Sequence, residues 1–246
     1  WHMGHLDPKW HPLNQGFTFY EGCYNGAADY FTRDRNGQPD WHVNFDDVNP
    51  PGYTTDIISD AAVAYIRDHG KSDAPFFCYV AFTAVHEPAQ APQKYIDQYP
   101  DLRGEKKILA AQDTCMDDGI GKILAAIDKA GIANNTLIWF FSDNGGIRKI
   151  PGNNAPLRGG KLTCYEGGIR TPAAVWWPGV IEGGRKIESP IINVDLLPTL
   201  LSAAGAKIDW PKPLDGIDVL DELKNPSQEK QRDVYGFTGQ QGIEKE

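Results

Sequence analysis

The sequence predicts an α/β fold, a mostly parallel sheet flanked by helices, and three observations carry that expectation. Two short apolar, aromatic runs, residues 75–82 (Pro-Phe-Phe-Cys-Tyr-Val-Ala-Phe) and 136–142 (Thr-Leu-Ile-Trp-Phe-Phe-Ser), lack the alternation of a half-exposed strand. Each predicts a strand buried on both faces. Between them, residues 106–130 place Ile120, Ile123, Leu124 and Ile127 on one helical stripe. Strand, helix, strand at this spacing is a crossover unit, which joins parallel strands and lays its helix on a face of the sheet.

Taken in order, residues 1–53 are rich in aromatic, Gly, Asn and Asp residues without periodicity, and read as long ordered loops of the kind that line sites. Residues 56–69 form an amphipathic pattern, with Thr54 or Thr55 as N-cap and Gly70 as its end. A Pro-punctuated loop follows the first strand over 83–92, and Asn134-Asn135 turns the chain into the second. Further strands are expected at 171–177 and 187–194, and a further helix at 195–204. From Trp210 onward Pro, Lys, Asp and Glu dominate. The organisation expected is a main body over 1–224 and a polar tail over 225–246.

Of the 246 residues, 41% are hydrophobic and 23% charged, which is ordinary for a chain with a packed core. A net charge of −9, with no basic stripe interleaved with aromatics, argues against nucleic acid as a partner. No run approaches the ~20 apolar residues of a membrane helix. Cys23, Cys78, Cys115 and Cys164 are widely spaced and form no Cys-x-x-Cys pair, so neither a disulfide framework nor a zinc site is expected. No pattern bears on oligomeric state.

In open parallel sheets, ligands sit beyond the carboxyl ends of the strands. The first strand runs into Thr83-Ala84-Val85-His86-Glu87-Pro88 and the second into Ser142-Asp143-Asn144-Gly145-Gly146, which places His86, Asp143 and Asn144 on one rim. Asp143 and Asn144 offer a carboxylate and an amide carbonyl, hard donors suited to calcium or magnesium rather than zinc. Two ligands fall short of the ~6–8 oxygens of a calcium shell, and an Asx-type turn is the plain alternative. The imidazole of His86 suits protonation of a leaving oxygen, a role worth roughly 10²–10⁴ in rate, although loop histidines more often only pack or hydrogen-bond.

Residues 157–172 hold four glycines and three cations, Arg158, Lys161 and Arg170, a composition for backbone wrapped around an anion. Lys161 is a compact charge suited to a tetrahedral oxyanion, whereas Arg158 and Arg170 read equally well as solvated cations. His5, His11, His42 and His69 take structural readings, and the pair Asp117-Asp118 reads as solvated or capping within the long helix. The aromatics Trp10, Trp41, Phe17 and Phe19 read as core packing, with stacking on sugar rings as the alternative. His2, near the beginning of the chain, carries no signal by itself.

Trp1-His2-Met3-Gly4, Gly16-Phe17 with Ala28-Asp29-Tyr30, the Val85–Pro92 stretch, 142–146, 157–170 and Pro213-Leu214-Asp215-Gly216 together resemble the formylglycine-dependent sulfatases of the alkaline phosphatase superfamily. Among these the chain is most similar to the arylsulfatase B, or N-acetylgalactosamine-4-sulfatase, type. The blocks follow one another in the family's order along nearly the whole chain. The resemblance implies an alkaline phosphatase/sulfatase-like partial domain, an internal portion lacking the nucleophile segment and the C-terminal subdomain.

Residue by residue, the resemblance implies that Asp143 and Asn144 bind calcium, with magnesium as the alternative, and that Asp143 also contacts the nucleophile. It implies that His2 hydrogen-bonds the formylglycine, that His86 contacts the sulfate and protonates the leaving oxygen, and that Lys161 binds both. None of the four cysteines lies in a Cys-x-Pro-Ser-Arg motif, so formylglycine is expected in a segment upstream. The chain alone is therefore expected to be inactive and to bind calcium weakly. The expected substrate is a sulfated sugar or aryl sulfate, and family habit implies a periplasmic, secreted or lysosomal location. The phosphate and phosphonate ester hydrolases of the superfamily, which more often carry histidine where Asn144 stands, remain the alternative enzyme. A non-catalytic carbohydrate-binding module is the alternative outside enzymes.

Overall fold

In the computed structural model, residues 1–4, 7–147, 154–206, 212–225 and 232–234 are described. The expectations for His5, for Trp210 and for most of the polar tail lie outside them. The chain divides into two compact units, Trp1–Ile132 and Ala133–Glu246.

In the first unit, the segment expected as loops carries short ordered elements. Two 3₁₀ turns, Pro8–Trp10 and Pro12–Gln15, precede strand β1 (Glu21–Gly22). β2 (Asp34–Arg35) and β3 (Gln38–Pro39) form a hairpin, and β4 (His42–Val43) pairs with both β1 and β5 (Asp46–Asp47). Asn36 and Gly37 turn the hairpin with φ of 54° and 76°, the left-handed pair that a two-residue turn requires. Trp41 is buried with Cys23 and Ala28 beneath these strands, the structural role expected of it, whereas Trp10 is exposed. His11 and His42 are also buried.

Helix α1 (Thr54–His69) and helix α3 (Gly104–Ala130) pack together, with α2 (Gln93–Ile96) against α3. The N-cap of α1 is Tyr53, neither Thr54 nor Thr55. Both threonines are buried in the first turn, where the Thr54 hydroxyl donates to the Tyr30 carbonyl at 2.8 Å. The buried residues of α3 are Ala111, Gln112, Cys115, Gly119 and Ile127. A Cβ on Gly119 would stand 3.1 Å from Ser59 Cβ, so the small residue lets α1 approach. Of the predicted stripe, Ile127 is buried and the other three are half-buried. Asp118, in the pair read as solvated or capping, accepts from the Tyr95 hydroxyl at 2.9 Å.

The strand expected at 75–82 is not formed. The segment has no ladder partner among the described residues, and Phe77 and Tyr79 are 61% and 59% exposed. An apolar run becomes a doubly buried strand only where neighbouring strands and covering layers meet it, and no described strand does.

In the second unit, β6 (Ile138–Phe141) pairs antiparallel with β7 (Ala173–Trp176), from Ile138 opposite Trp176 to Phe141 opposite Ala173. Helix α4 (Glu166–Ile169) lies between them in sequence, and α5 (Leu196–Ala203) and α6 (Leu220–Lys224) follow. All the ladders among the described residues are antiparallel, where a crossover pair was expected. The expected strand at 187–194 is irregular and ends in a 3₁₀ turn, Asn193–Asp195, that leads into α5. That turn exists because the buried Asp195 carboxylate accepts from the backbone of Ile192 and Ile217, both at 2.9 Å, and is gripped by both terminal nitrogens of the Arg232 guanidinium.

Candidate functional site

Asp143 and Asn144 stand just past β6, separated from its last residue, Phe141, by Ser142. Ser142 fixes the turn from both sides, its backbone N–H donating to Pro172 O at 3.1 Å and its hydroxyl to Asn144 O at 3.1 Å. Gly145 then donates to Gly168 O at 3.0 Å, at a point where the backbones press together so closely that a Cβ on Gly145 would collide with the Gly167 carbonyl. Gly146 O accepts the Lys161 N–H at 3.1 Å. Asn154 clasps the same junction, exchanging hydrogen bonds with Gly146 at 3.0 and 2.9 Å and donating to Gly159 O at 3.2 Å. Gly167 donates to Arg158 O at 2.7 Å, so the loop around Lys161 is locked to α4.

The glycines thus serve close backbone approach, and the approach places Asp143, Asn144 and Lys161 on one frame. The carboxylate, the amide and the ammonium have no hydrogen-bond or ion-pair partner among the described residues. The other two cations are engaged. Arg158 stacks on the Tyr165 ring at 3.8 Å, and Arg170 pairs with Glu166 at 3.1 Å. This separates Lys161 from the surface cations of its segment.

Gly145→Ala is expected to destabilise the protein by about 1–3 kcal/mol or more, because the added methyl must displace main chain rather than a side chain. A urea unfolding curve measures it, and a midpoint equal to that of the wild type would contradict the close approach described here.

The donors at Asp143 and Asn144 are hard oxygens and fit calcium or magnesium in type, but they supply two ligands. No group of three or more His, Cys, Asp or Glu side chains comes together as a metal site among the described residues.

In the first unit, His86 sits in the expected Pro-punctuated loop. Its N–H donates to Thr83 O at 2.9 Å, and its Nδ1 lies 3.0 Å from Glu87 O. A carbonyl only accepts, so Nδ1 carries the proton and Nε2 is the edge left for other partners. The loop is braced by residues whose part the sequence did not reveal. The buried Tyr30 hydroxyl donates to Thr83 O at 2.8 Å and to His86 O at 2.9 Å. Gln90 accepts from Tyr30 N at 2.9 Å and donates to Asp29 at 2.5 Å. Burial pushes the Asp29 carboxyl up, but hydrogen bonds from Thr32, Gln90 and Phe31 outweigh it and hold the group below the usual range.

His2 is exposed, with φ of 55°, and its N–H donates to Tyr24 O at 2.9 Å. A non-glycine residue in the left-handed region is uncommon, and histidine is among the types enriched there. One short segment, 23–30, therefore braces both histidines, through Tyr24 for His2 and Tyr30 for the His86 loop. Asp29 and Tyr30 stood out in the sequence only through the family motif, and their bonds to Gln90 span some sixty residues.

The sulfatase family model matches residues 1–206. Over 232 residues the chain is 32% identical to arylsulfatase J of Mus musculus, covering 91% of this chain and 39% of the relative. Over 257 aligned positions it is 32% identical to N-acetylgalactosamine-6-sulfatase of the same species, covering 97% of this chain and 48% of the relative. The chain thus spans half or less of the length of these curated relatives. Among solved structures it is similar to Ps i-CgsB in complex with k-i-k-neocarrahexaose, at a TM-score of 0.84 and 33% identity over 90% of this chain and 53% of that one. That likeness gives the chain the α/β, alkaline phosphatase/sulfatase-like architecture expected from its sequence, as a partial domain. No described helix is long and apolar enough to cross a membrane. With the family model matching 206 consecutive residues and relatives aligning along nearly its full length, the chain belongs to the sulfatase family.

Proposed function

We propose that this chain supplies the sulfate-, metal- and proton-handling residues of a sulfuric ester hydrolase acting on a sulfated carbohydrate or an aryl sulfate. One observation carries the reading: Asp143, Asn144 and Lys161 stand on a single glycine-locked frame with their polar heads unpartnered among the described residues. An ester sulfate offers three oxygens that gain charge as the bond to the leaving oxygen breaks. A fixed ammonium directed at that charge lowers the barrier because it needs no reorganisation when the charge develops. Lys161 is the residue for that task, binding the sulfate and the leaving oxygen.

Asp143 and Asn144 would hold a calcium ion, or magnesium, and the ion when bound supplies positive charge that neutralises the sulfuryl oxygens. Asp143 would also contact the nucleophile, which the family resemblance gives as a formylglycine. His86 contacts the sulfate and, when its ring is protonated on both nitrogens, passes the Nε2 proton to the leaving oxygen while Nδ1–H stays on Glu87 O, which returns the ring to the neutral form. His2 hydrogen-bonds the nucleophile. Residues 1–224 act as the catalytic body and 225–246 as a connecting tail. N-acetylgalactosamine-6-sulfatase among the relatives supports a sulfated sugar as the substrate. An extracytoplasmic compartment, whether periplasm, secreted fluid or lysosome, fits the family.

The full-length protein is expected to release sulfate from 4-nitrophenyl sulfate or a sulfated oligosaccharide, and to lose that activity when the metal is removed with a chelator. Turnover of 4-nitrophenyl phosphate with none of the sulfate ester would overturn the assignment in favour of the phosphate branch.

A further inference from the structure

We infer that Gly26 is a positioning residue whose bare Cα sets where the His2 imidazole stands. This rests on the role proposed above for His2. A Cβ built on Gly26 would lie 2.5 Å from His2 Nδ1 and 2.6 Å from Cε1, and the three atoms nearest to it all belong to the His2 ring. Nothing in the backbone requires glycine there, because Gly26 is outside the left-handed region that side chains avoid. The requirement is steric, and its nearest source is the histidine ring.

The surroundings show why the contact matters. His2 holds a left-handed conformation, which a non-glycine residue keeps only where its neighbours over-determine it. Those neighbours belong to one short stretch, 23–26. Trp1 N donates to Cys23 O at 2.8 Å, His2 N to Tyr24 O at 2.9 Å, and the His2 ring lies against Gly26. The stretch is itself pinned from behind by the buried Asp40 carboxylate, which accepts from Tyr24 N at 2.9 Å, Asn25 N at 3.0 Å, Asn25 Nδ2 at 2.8 Å and His42 Nε2 at 3.2 Å. Burial pushes the Asp40 carboxyl up, and those donors more than offset it, so the anchor stays ionised. Main chain anchors the backbone of His2, and the glycine admits its ring against the anchored loop. A side chain at 26 forces the ring to a new place while the backbone anchors stay.

The test uses the full-length protein, 4-nitrophenyl sulfate, and the variants Gly26→Ala, His2→Ala and the two combined. Gly26→Ala is expected to lower kcat about 10–100-fold with KM within about twofold, the scale expected for a reacting group misplaced by an ångström. In the His2→Ala background the same substitution should cost no further activity, since the ring it displaces is gone. Equal losses in both backgrounds, or a wild-type kcat for Gly26→Ala alone, overturn the inference while leaving His2 in its role. A wild-type kcat for His2→Ala removes that role itself, and the positioning inference with it. Should Gly26→Ala lower the melting temperature, the combined variant must recover the stability of His2→Ala; a melting temperature that stays low shows that the clash lies elsewhere and overturns the inference.

Discussion

Lys161→Ala in the full-length protein is expected to lower kcat/KM for an aryl sulfate by roughly 10²–10³-fold, the loss seen when one preorganised donor to a developing anion is removed. The expectation follows from two features of the loop. The Lys161 backbone is fixed to Gly146 at 3.1 Å, so the residue does not drift when its side chain is shortened. Its ammonium also has no competing partner among the described residues, so truncation removes no structural ion pair. The melting temperature should therefore hold while activity collapses. Lys161→Arg should restore only part of the loss, because a planar fork does not reproduce a compact charge against a tetrahedral group. A loss of less than about threefold for Lys161→Ala would place the residue outside the group that meets developing charge, since such donors are worth far more.

The second large effect is on stability. Asp195→Ala should destabilise the protein by about 3–5 kcal/mol, the usual result of breaking a buried ion pair by removing one partner. Asp195 is fully buried and holds three things at once: the N–H of Ile192, the N–H of Ile217 and the Arg232 guanidinium. Without the carboxylate, the turn entering α5 and the segment at Ile217 lose their common acceptor, and Arg232 is left with an unmatched charge.

Acid should reproduce part of the effect. Burial pushes the Asp195 carboxyl up, but Arg232 and the two backbone donors outweigh it and hold the folded-state value below the ordinary one. The contribution to stability is accordingly complete above the unfolded carboxylate value of ~3.9 and is lost as pH falls through the lower folded value. Urea unfolding of wild type and variant across pH measures both. A difference under about 1 kcal/mol at neutral pH would contradict the assigned role, because buried pairs broken on one side cost several times that.

How much of this was legible in the sequence depends on the range of the interactions. The helices α1 and α3 were readable because a 3.6-residue period repeats within each. The run 75–82 misled because its apolar content describes a preference for burial, not the strands that must supply it. An apolar strand is also silent on direction, so nothing in 136–142 distinguished the antiparallel partner that β6 takes from a parallel one. The β2–β3 hairpin carries only a weak signal in Asn36-Gly37, because no alternating apolar residues flank it.

At the site, the concentration of glycines and cations near Lys161 and the Asp-Asn pair at a strand end were visible as composition. What the composition did not show was mechanical: Gly145 wedged on Gly167, and Asn154 clasping Gly146 and Gly159. The bracing of the His86 loop by Tyr30, Asp29 and Gln90 joins residues far apart in sequence and leaves no local pattern at all.

The decisive measurement is a crystal structure of the full-length protein soaked with calcium and sulfate. Asp143 and Asn144 oxygens are expected at about 2.3–2.6 Å from one calcium ion, with the Lys161 ammonium hydrogen-bonded to a sulfate oxygen beside it. A calcium ion held without Asp143 and Asn144, or a sulfate bound away from Lys161, would contradict the central claim that the glycine-locked frame is built to receive a sulfate ester.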